Sequence, residues 1–356
     1  MSKDSRATPI NSPDYMHWQM ISLVIFCVRF VQGWIFWAGG SRRFIYAPQK
    51  LDPHATTWLA NKLQSAMPGA LLGVANIISY LLQHFYILYM ALVLFSLVEL
   101  FSGLALMLGF FTRLAAVTTV FISIALMLVF GWEGSTCLDE WTMAVSNLAM
   151  GLTLMLSGAA SYSIDSWLTQ RKPELARKRW FVMLASGPWS LSTLKIMAFL
   201  CLVFTMIFTT ATYNYFRGAI FSAYHAGPVS ASTLNIALSD GVLSANGAVS
   251  FKLNVDAGDT AVPSHIIRIE LRNSAGNTVE AWVGTQLADL SPKNIINKYS
   301  YNRIVTGPYG LVAPVSAVAQ IILNPAREKL VLTASDNELQ VYTIDGRHWD
   351  LLLQNQ

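Results

Sequence analysis

Two charged residues stand in stretches that are otherwise apolar. Arg29 lies within 18–39, WQMISLVIFCVRFVQGWIFWAG, and Glu99 within 85–109, FYILYMALVLFSLVELFSGLALMLG. A lone charge in hydrocarbon is costly, so each must face neighbouring helices, and the two are expected to pair. Helical spacing puts Arg29, Gln32, Gly33 and Phe36 on one face, and Glu99, Ser102, Gly103 and Leu106 on another. Such a pair either fixes helix register or serves as a proton relay or a contact for a quinone head group. Ser146 and Asn147 add polar side chains to a further apolar stretch. A second group is basic: Arg42, Arg43 and Lys50 follow the first apolar stretch closely. Guanidinium groups hold oxyanions through paired hydrogen bonds, so this group reads as an anion site. Of the three cysteines, Cys137 alone sits in a polar stretch, while Cys27 and Cys201 lie in apolar ones and read as packing residues. Trp34, Trp37, Trp132 and Trp141 read as anchors at the membrane interface.

The elements that must position these residues follow from hydropathy. The chain has 356 residues, 54% hydrophobic and only 12% charged, with a mean hydropathy of +0.44. Five windows are apolar and long enough, or nearly so, to cross a bilayer: 18–39, 85–109, 112–131, 141–158 and 194–212. The basic segment 161–195 places itself in the cytoplasm by the positive-inside rule. The N-terminus and the turn at Arg113 then also lie inside, and the acidic stretch 132–140 outside. The basic stretch 40–84 falls outside against that rule, for which an anion site is one explanation and an earlier start of the second helix another. Residues 52–66 read as an interfacial amphipathic helix, and 69–83 as a shallow or re-entrant one.

Beyond residue 212 the pattern changes to period-two runs between turn residues: VSFKLNV (249–255), HIIRIEL (265–271), TVEAWVG (278–284), KLVLTAS (329–335) and LQVYTID (339–345). These predict a small antiparallel β-sandwich on the outer side. Gly307–Pro308–Tyr309–Gly310 must turn sharply. No GxGxxG, GKS/GKT or HExxH motif occurs, and the six histidines are scattered. Bound metal, haem or flavin is therefore not expected. A net charge of +4 without a long basic run argues against nucleic acid.

Helix two and its following turn, ELFSGLALMLGFFTRLAA (99–116), resemble the signature of DoxX-like membrane proteins. The loop WEGSTCLDEWTMA (132–144) resembles the DoxD branch, the membrane subunit of thiosulfate:quinone oxidoreductase. Residues from about 190 onward resemble its companion DoxA, most closely at TGPYGLV (306–312) and IDGRHW (344–349). The order and fusion resemble the single-chain DoxDA form found in sulfur-oxidising and related bacteria. The resemblance implies an α+β membrane protein: a DoxX-like four-helix bundle (18–160) after an N-terminal cytoplasmic tail (1–17), a basic cytoplasmic linker (161–193), a fifth spanning helix (194–212) and an extracytoplasmic β-sandwich (213–356). It implies a bacterial inner-membrane enzyme that oxidises thiosulfate to tetrathionate and reduces membrane quinone, without bound metal, haem or flavin. On that reading Arg42, Arg43 and Lys50 bind thiosulfate, Cys137, Glu99 and Arg29 are catalytic, and Trp34, Trp37 and Asn147 contact the quinone. A homodimer is compatible with the polar interior faces. A non-catalytic anchor, or an auxiliary subunit associated with a terminal quinol oxidase, is the competing reading. If the Cys137 thiolate carries sulfur transfer, Cys137→Ser is expected to abolish thiosulfate-dependent quinone reduction; full turnover would remove the thiol from the reaction.

Overall fold

The computed structural model describes residues 13–133, 139–225, 231–325 and 337–355. Helices in chain order are α1 (Pro13–Val24), α2 (Phe26–Ser41), α3 (Leu59–Ser65), α4 (Val74–Gln83), α5 (Phe85–Leu108), α6 (Thr112–Phe130), α7 (Asp139–Ser157), α8 (Ile164–Arg171), α9 (Pro173–Arg177), α10 (Arg179–Leu184), α11 (Leu191–Arg217) and α12 (Gly284–Ala288). Contacts divide the chain into two compact units. The first comprises Met1–Leu59, Tyr86–Gly131 and Leu138–His225; the second comprises Ala60–Phe85, Trp132–Cys137 and Ala226–Gln356. Residues 60–85, read from sequence as part of the membrane domain, thus cluster with the sheet.

The first unit is helical. Among the described residues three helices, α5, α6 and α11, are long and apolar enough to cross a membrane, and a bent pair supplies a fourth span. The chain is a membrane protein. The bent pair replaces the single first helix expected over 18–39. It turns by 54° between Tyr15–Val24 and Phe26–Tyr46, at Ile25, whose φ of −92° and ψ of 8° depart from helical values. α2 then runs on through a π-helical turn, Arg42–Tyr46. The buried residues of α2 include Arg29, Gln32, Gly33 and Phe36, and those of α5 include Glu99, Ser102, Gly103 and Leu106, as the helical spacing requires. α2 and α5 meet through small residues. A Cβ at Gly103 would run into the Trp37 backbone nitrogen, and one at Gly40 would lie 2.7 Å from the Leu100 Cα. In lipid, where apolar burial gives little drive, such close backbone approach is how helices gain contact.

The second unit carries ten strands among the described residues: β1 (Asn235–Leu243), β2 (Val249–Ala257), β3 (Ser264–Arg272), β4 (Thr278–Val283), β5 (Ile295–Asn297), β6 (Val305–Gly307), β7 (Gly310–Ala313), β8 (Val318–Leu323), β9 (Asn337–Thr343) and β10 (His348–Asn355). Their order is β5-β8-β2-β1-β10-β9-β3-β7-β6, with β4 also on β3. Alternation sets the core. Val249, Phe251, Leu253 and Val255 of β2 share one hydrophobic cluster with Leu339 and Val341 of β9. In β3 the alternation slips from Ile266 to Ile269 and Leu271 because the register with β9 shifts between Ile266 and Arg268. Pro308 and Tyr309 form the tip of the β6–β7 hairpin, with Gly307 opposite Gly310. The sheet is mixed rather than purely antiparallel: β1 and β10 run parallel through Val242↔Gln354 and Leu243↔Asn355. A parallel pair needs a long crossover, and here the crossover is nearly the whole domain, which no local pattern reveals. The expected strand at 329–335 lies outside the described residues. The architecture is α+β, helices followed by a curled sheet with one shared core.

Gly103→Val should destabilise the helical unit by about 3 kcal/mol, the upper end of the overpacking range, because backbone rather than a flexible side chain occupies the space. Thermal unfolding in detergent, with Ser102→Ala as the mild control, checks this.

Candidate functional site

Glu99 does not pair with Arg29. Its carboxylate lies over Gly39 of α2 and forms an ion pair with the Arg43 guanidinium. The same Arg43 nitrogen, Nη1, donates to Ser96 Oγ at 3.3 Å, and the guanidinium sits 5.4 Å from the centre of the Phe95 ring. Three features of the sequence make this geometry. Glycine at 39 leaves room for a carboxylate against the backbone. Ser96 lies almost one turn before Glu99 on α5. The π-helical turn at Arg42–Tyr46 re-aims residues that a regular helix would point elsewhere. Arg43 and Glu99 side chains are only 14% and 11% exposed, so water screens the pair weakly. Arg42 is exposed and adds its field at the carboxylate. Lys50 is half-buried in the next helical turn, Pro48–Leu51. Of the three basic residues expected to form one anion site, Arg43 is committed to Glu99, and Arg42 leaves one positive charge in excess beside that pair.

Arg29 has a different role because the helix bends at Ile25. The straight part begins at Phe26, which puts Arg29 in its first turn and not at its centre. The guanidinium donates to the carbonyls of Tyr162 at 2.6 Å and Ser161 at 3.5 Å, and lies 4.8 Å from the Phe26 ring centre. One turn further along α2, Gln32 Nε2 donates to the Asn147 carbonyl of α7 at 3.0 Å. Gln32 and Asn147 are 0% and 3% exposed, yet Gln32 Oε1, Asn147 Oδ1 and Arg29 Nε have no hydrogen-bond partner among the described residues. Unmet polar atoms in a buried site each cost about 1–3 kcal/mol. Trp34 and Trp37 stand in the middle of α2, not at its outer end. With Phe30 they form a ladder, with ring centres 6.2 Å and 5.0 Å apart. Trp34 is half exposed, whereas Asn147 faces inward against Gln32, so these aromatic rings and the amide do not share one surface. Cys137 lies outside the described residues.

Sequence reasoning missed a second buried charge cluster. Asp165 accepts from the backbone nitrogens of Phe111 at 2.8 Å and Thr112 at 3.0 Å, and from the hydroxyls of Thr112 and Ser186. It thereby caps the start of α6 from the first turn of α8, where a negative charge also suits the helix dipole of α6. Arg113, one residue further, donates to the carbonyls of Met155, Val182 and Gly187 and stacks on Trp189 at 4.2 Å. The available signal was a single acid, Asp165, ahead of a strongly basic run. In the second unit a cavity of about 310 Å³ is lined by Asn61, Lys62, Glu133, Thr260 and Asn302, among others. Lys62 Nζ lies 3.7 Å from Glu133 there, and the buried Gln64 bonds to the carbonyls of Asn302 and Ser316, each at 2.9 Å. Among the described residues no three His, Cys, Asp or Glu side chains converge as metal ligands.

Residues 24–204 match the family model described as TQO small subunit DoxD. The chain belongs to the DoxD family. Residues 230–351 match the model described as TQO small subunit DoxA, so the chain is a DoxD–DoxA fusion. Both are subunit families of thiosulfate:quinone oxidoreductase, which places the protein among the oxidoreductases. The Arg43–Glu99 pair falls within the DoxD match, and so do Gln32 and Asn147.

Breaking the Arg43–Glu99 pair leaves an uncompensated charge. Arg43→Met or Glu99→Met alone should each cost about 3–5 kcal/mol, and the double variant less than either. A double-mutant cycle on unfolding midpoints reads the difference; additive losses would show that the two groups are not coupled.

Proposed function

We propose that this chain oxidises two thiosulfates to one tetrathionate and passes the two electrons to a membrane quinone, which takes up two protons to become quinol. The observation that carries this reading is the Arg43–Glu99–Ser96 cluster with Arg42 exposed beside it. Thiosulfate is a dianion and is attracted to the surplus charge of Arg42. Sulfonate-type oxygens match the fork of a guanidinium better than the point charge of an ammonium. Joining two dianions requires that positive charge offset their repulsion while the new sulfur–sulfur bond forms. On this reading Arg42 supplies that charge, with Arg43 behind it and Lys50 eight residues along the chain. Glu99 is then a proton-handling group beside the same site, in contact with Arg43 and able to change charge.

Gln32 and Asn147 fit the other half of the reaction. Two buried amide oxygens without donors suit a ligand that brings O–H groups. A quinol has two, whereas the oxidised ring offers only acceptors. Arg29 Nε, one turn along α2, is a donor for a carbonyl of that oxidised ring. Trp34, with Phe30 and Trp37, gives an aromatic face at the middle of α2 along which a flat ring can approach from lipid. On this reading the basic segment 161–195 is cytoplasmic, the sheet domain is periplasmic and the membrane is the bacterial inner one.

Purified chain in detergent, given thiosulfate and a soluble quinone analogue, should form tetrathionate and quinol in equal amounts. Glu99→Gln should lower kcat by about 100-fold, the scale of a lost proton-transfer group. Asn147→Leu should raise KM for the quinone about tenfold, the scale of one lost buried hydrogen bond. A folded, monodisperse sample that turns over neither substrate would favour the anchor or auxiliary-subunit reading.

A further inference from the structure

We propose that the segment between α7 and α11 is a rigid binding shelf for the headgroups of anionic phospholipids. Three observations carry this. First, Arg171, Lys172, Arg177, Lys178 and Arg179 are all exposed, and Lys195 is exposed in the second turn of α11. Glu174 is the one exposed acid in that run, because Asp165 is buried in its cap on α6. Second, large apolar side chains are exposed among these cations: Trp167, Trp180, Met183 and Leu184. The Arg171 guanidinium lies 4.5 Å from the Trp167 ring centre. Exposed tryptophan beside cations is unfavourable against water alone and favourable at a headgroup boundary, where the ring meets acyl chains and the charge meets phosphate.

Third, the shelf is pinned to the ends of the helices and cannot drift into solvent. The Asp165 nitrogen donates to the Gly109 carbonyl just beyond α5, and the Arg113 nitrogen at the start of α6 donates to the Ala185 carbonyl. The Ala159 nitrogen, just past α7, donates to Ser186 Oγ at 2.9 Å. Arg29 near the start of α2 holds the carbonyls of Ser161 and Tyr162. The cations are therefore held at the membrane level on the side where α5 ends and α6 begins. Cations held near an anionic surface are attracted to it, and a fixed shelf loses less entropy on binding than a flexible tail. The ligand chemistry is a phosphodiester with an attached acyl pair; the tryptophans have no use in binding free phosphate.

The test uses the delipidated full chain in a neutral detergent. Short-chain phosphatidylglycerol, short-chain phosphatidylcholine and inorganic phosphate are titrated separately, with the thermal midpoint and lipid retained in native mass spectra as readouts. Phosphatidylglycerol should raise the midpoint saturably, and the other two should not. The variant R171Q/K172Q/R177Q/K178Q/R179Q should bind phosphatidylglycerol on the order of 100-fold more weakly. The charge-preserving R171K/R177K/R179K should keep most of the binding, which guards against misfolding as the cause. Equal retention of both lipids, an equal response to inorganic phosphate, or undiminished binding by the five-fold variant would each overturn the proposal.

Discussion

A charge taken into a bilayer has to bring its partners with it, and the helical unit is organised around that constraint. Arg43 brings Glu99, Arg113 collects four carbonyls and a tryptophan, and Arg29 collects two carbonyls and a phenylalanine. Each solution imposes geometry on the chain around it. Glu99 reaches Arg43 because Gly39 lets the carboxylate lie against α2. Arg113 holds the chain between α7 and α11 back against α6, because the carbonyls it needs are those at Val182 and Gly187. The polar groups so joined are distant in sequence and close in space, and they fix the helix ends more tightly than apolar contact in lipid could.

The sheet unit is built by a different rule. Its strands alternate buried and more exposed residues, and its stability comes from removing apolar surface. Its buried side chains form one continuous cluster from Ile236 in β1 to Leu353 in β10. A residue pattern of period two suffices for that. Where the pattern slips, at β3, a bulge accommodates it and keeps Ile269 and Leu271 inside while Glu270 turns to the other face. Glu270 is nearly fully buried there too, and it is held by Arg268 and Arg272. The Arg272 guanidinium, raised further above its ordinary range by its hydrogen bond to Glu270, stays charged and keeps the pair intact.

What the sequence made legible follows from the range of each signal. Helical faces are local, so the buried sides of α2 and α5 could be read from spacing alone. Strand alternation is local too, and β2, β3, β4 and β9 lie where it put them. Partner choice is not local. Arg29 and Glu99 were paired because both sat in apolar stretches, but the bend at Ile25 moved Arg29 to a helix start and left Glu99 to Arg43. The bend has no proline to announce it. The parallel ladder of β1 and β10 was hidden for the same reason, since its partners are separated by the domain itself. The family resemblance was legible because it rests on contiguous stretches, and the family models cover those same stretches.

The choice of arginine over lysine separates the groups that hold structure from those free to act. The fully buried cations of the helical unit are arginines, Arg29, Arg113 and Arg217. A guanidinium presents five donors and does not deprotonate in proteins, so it can satisfy several carbonyls at once and stay charged. Such a group is a fixed post and cannot carry a proton. Within α2, α5, α6 and α11 the one carboxylate is Glu99. In the proposed reaction Glu99 is the acid of these helices that would exchange protons, and Arg43 is the fixed charge in contact with it. Arginines that stay charged around Glu99 would let these four helices hold their shape while that one carboxylate changes charge.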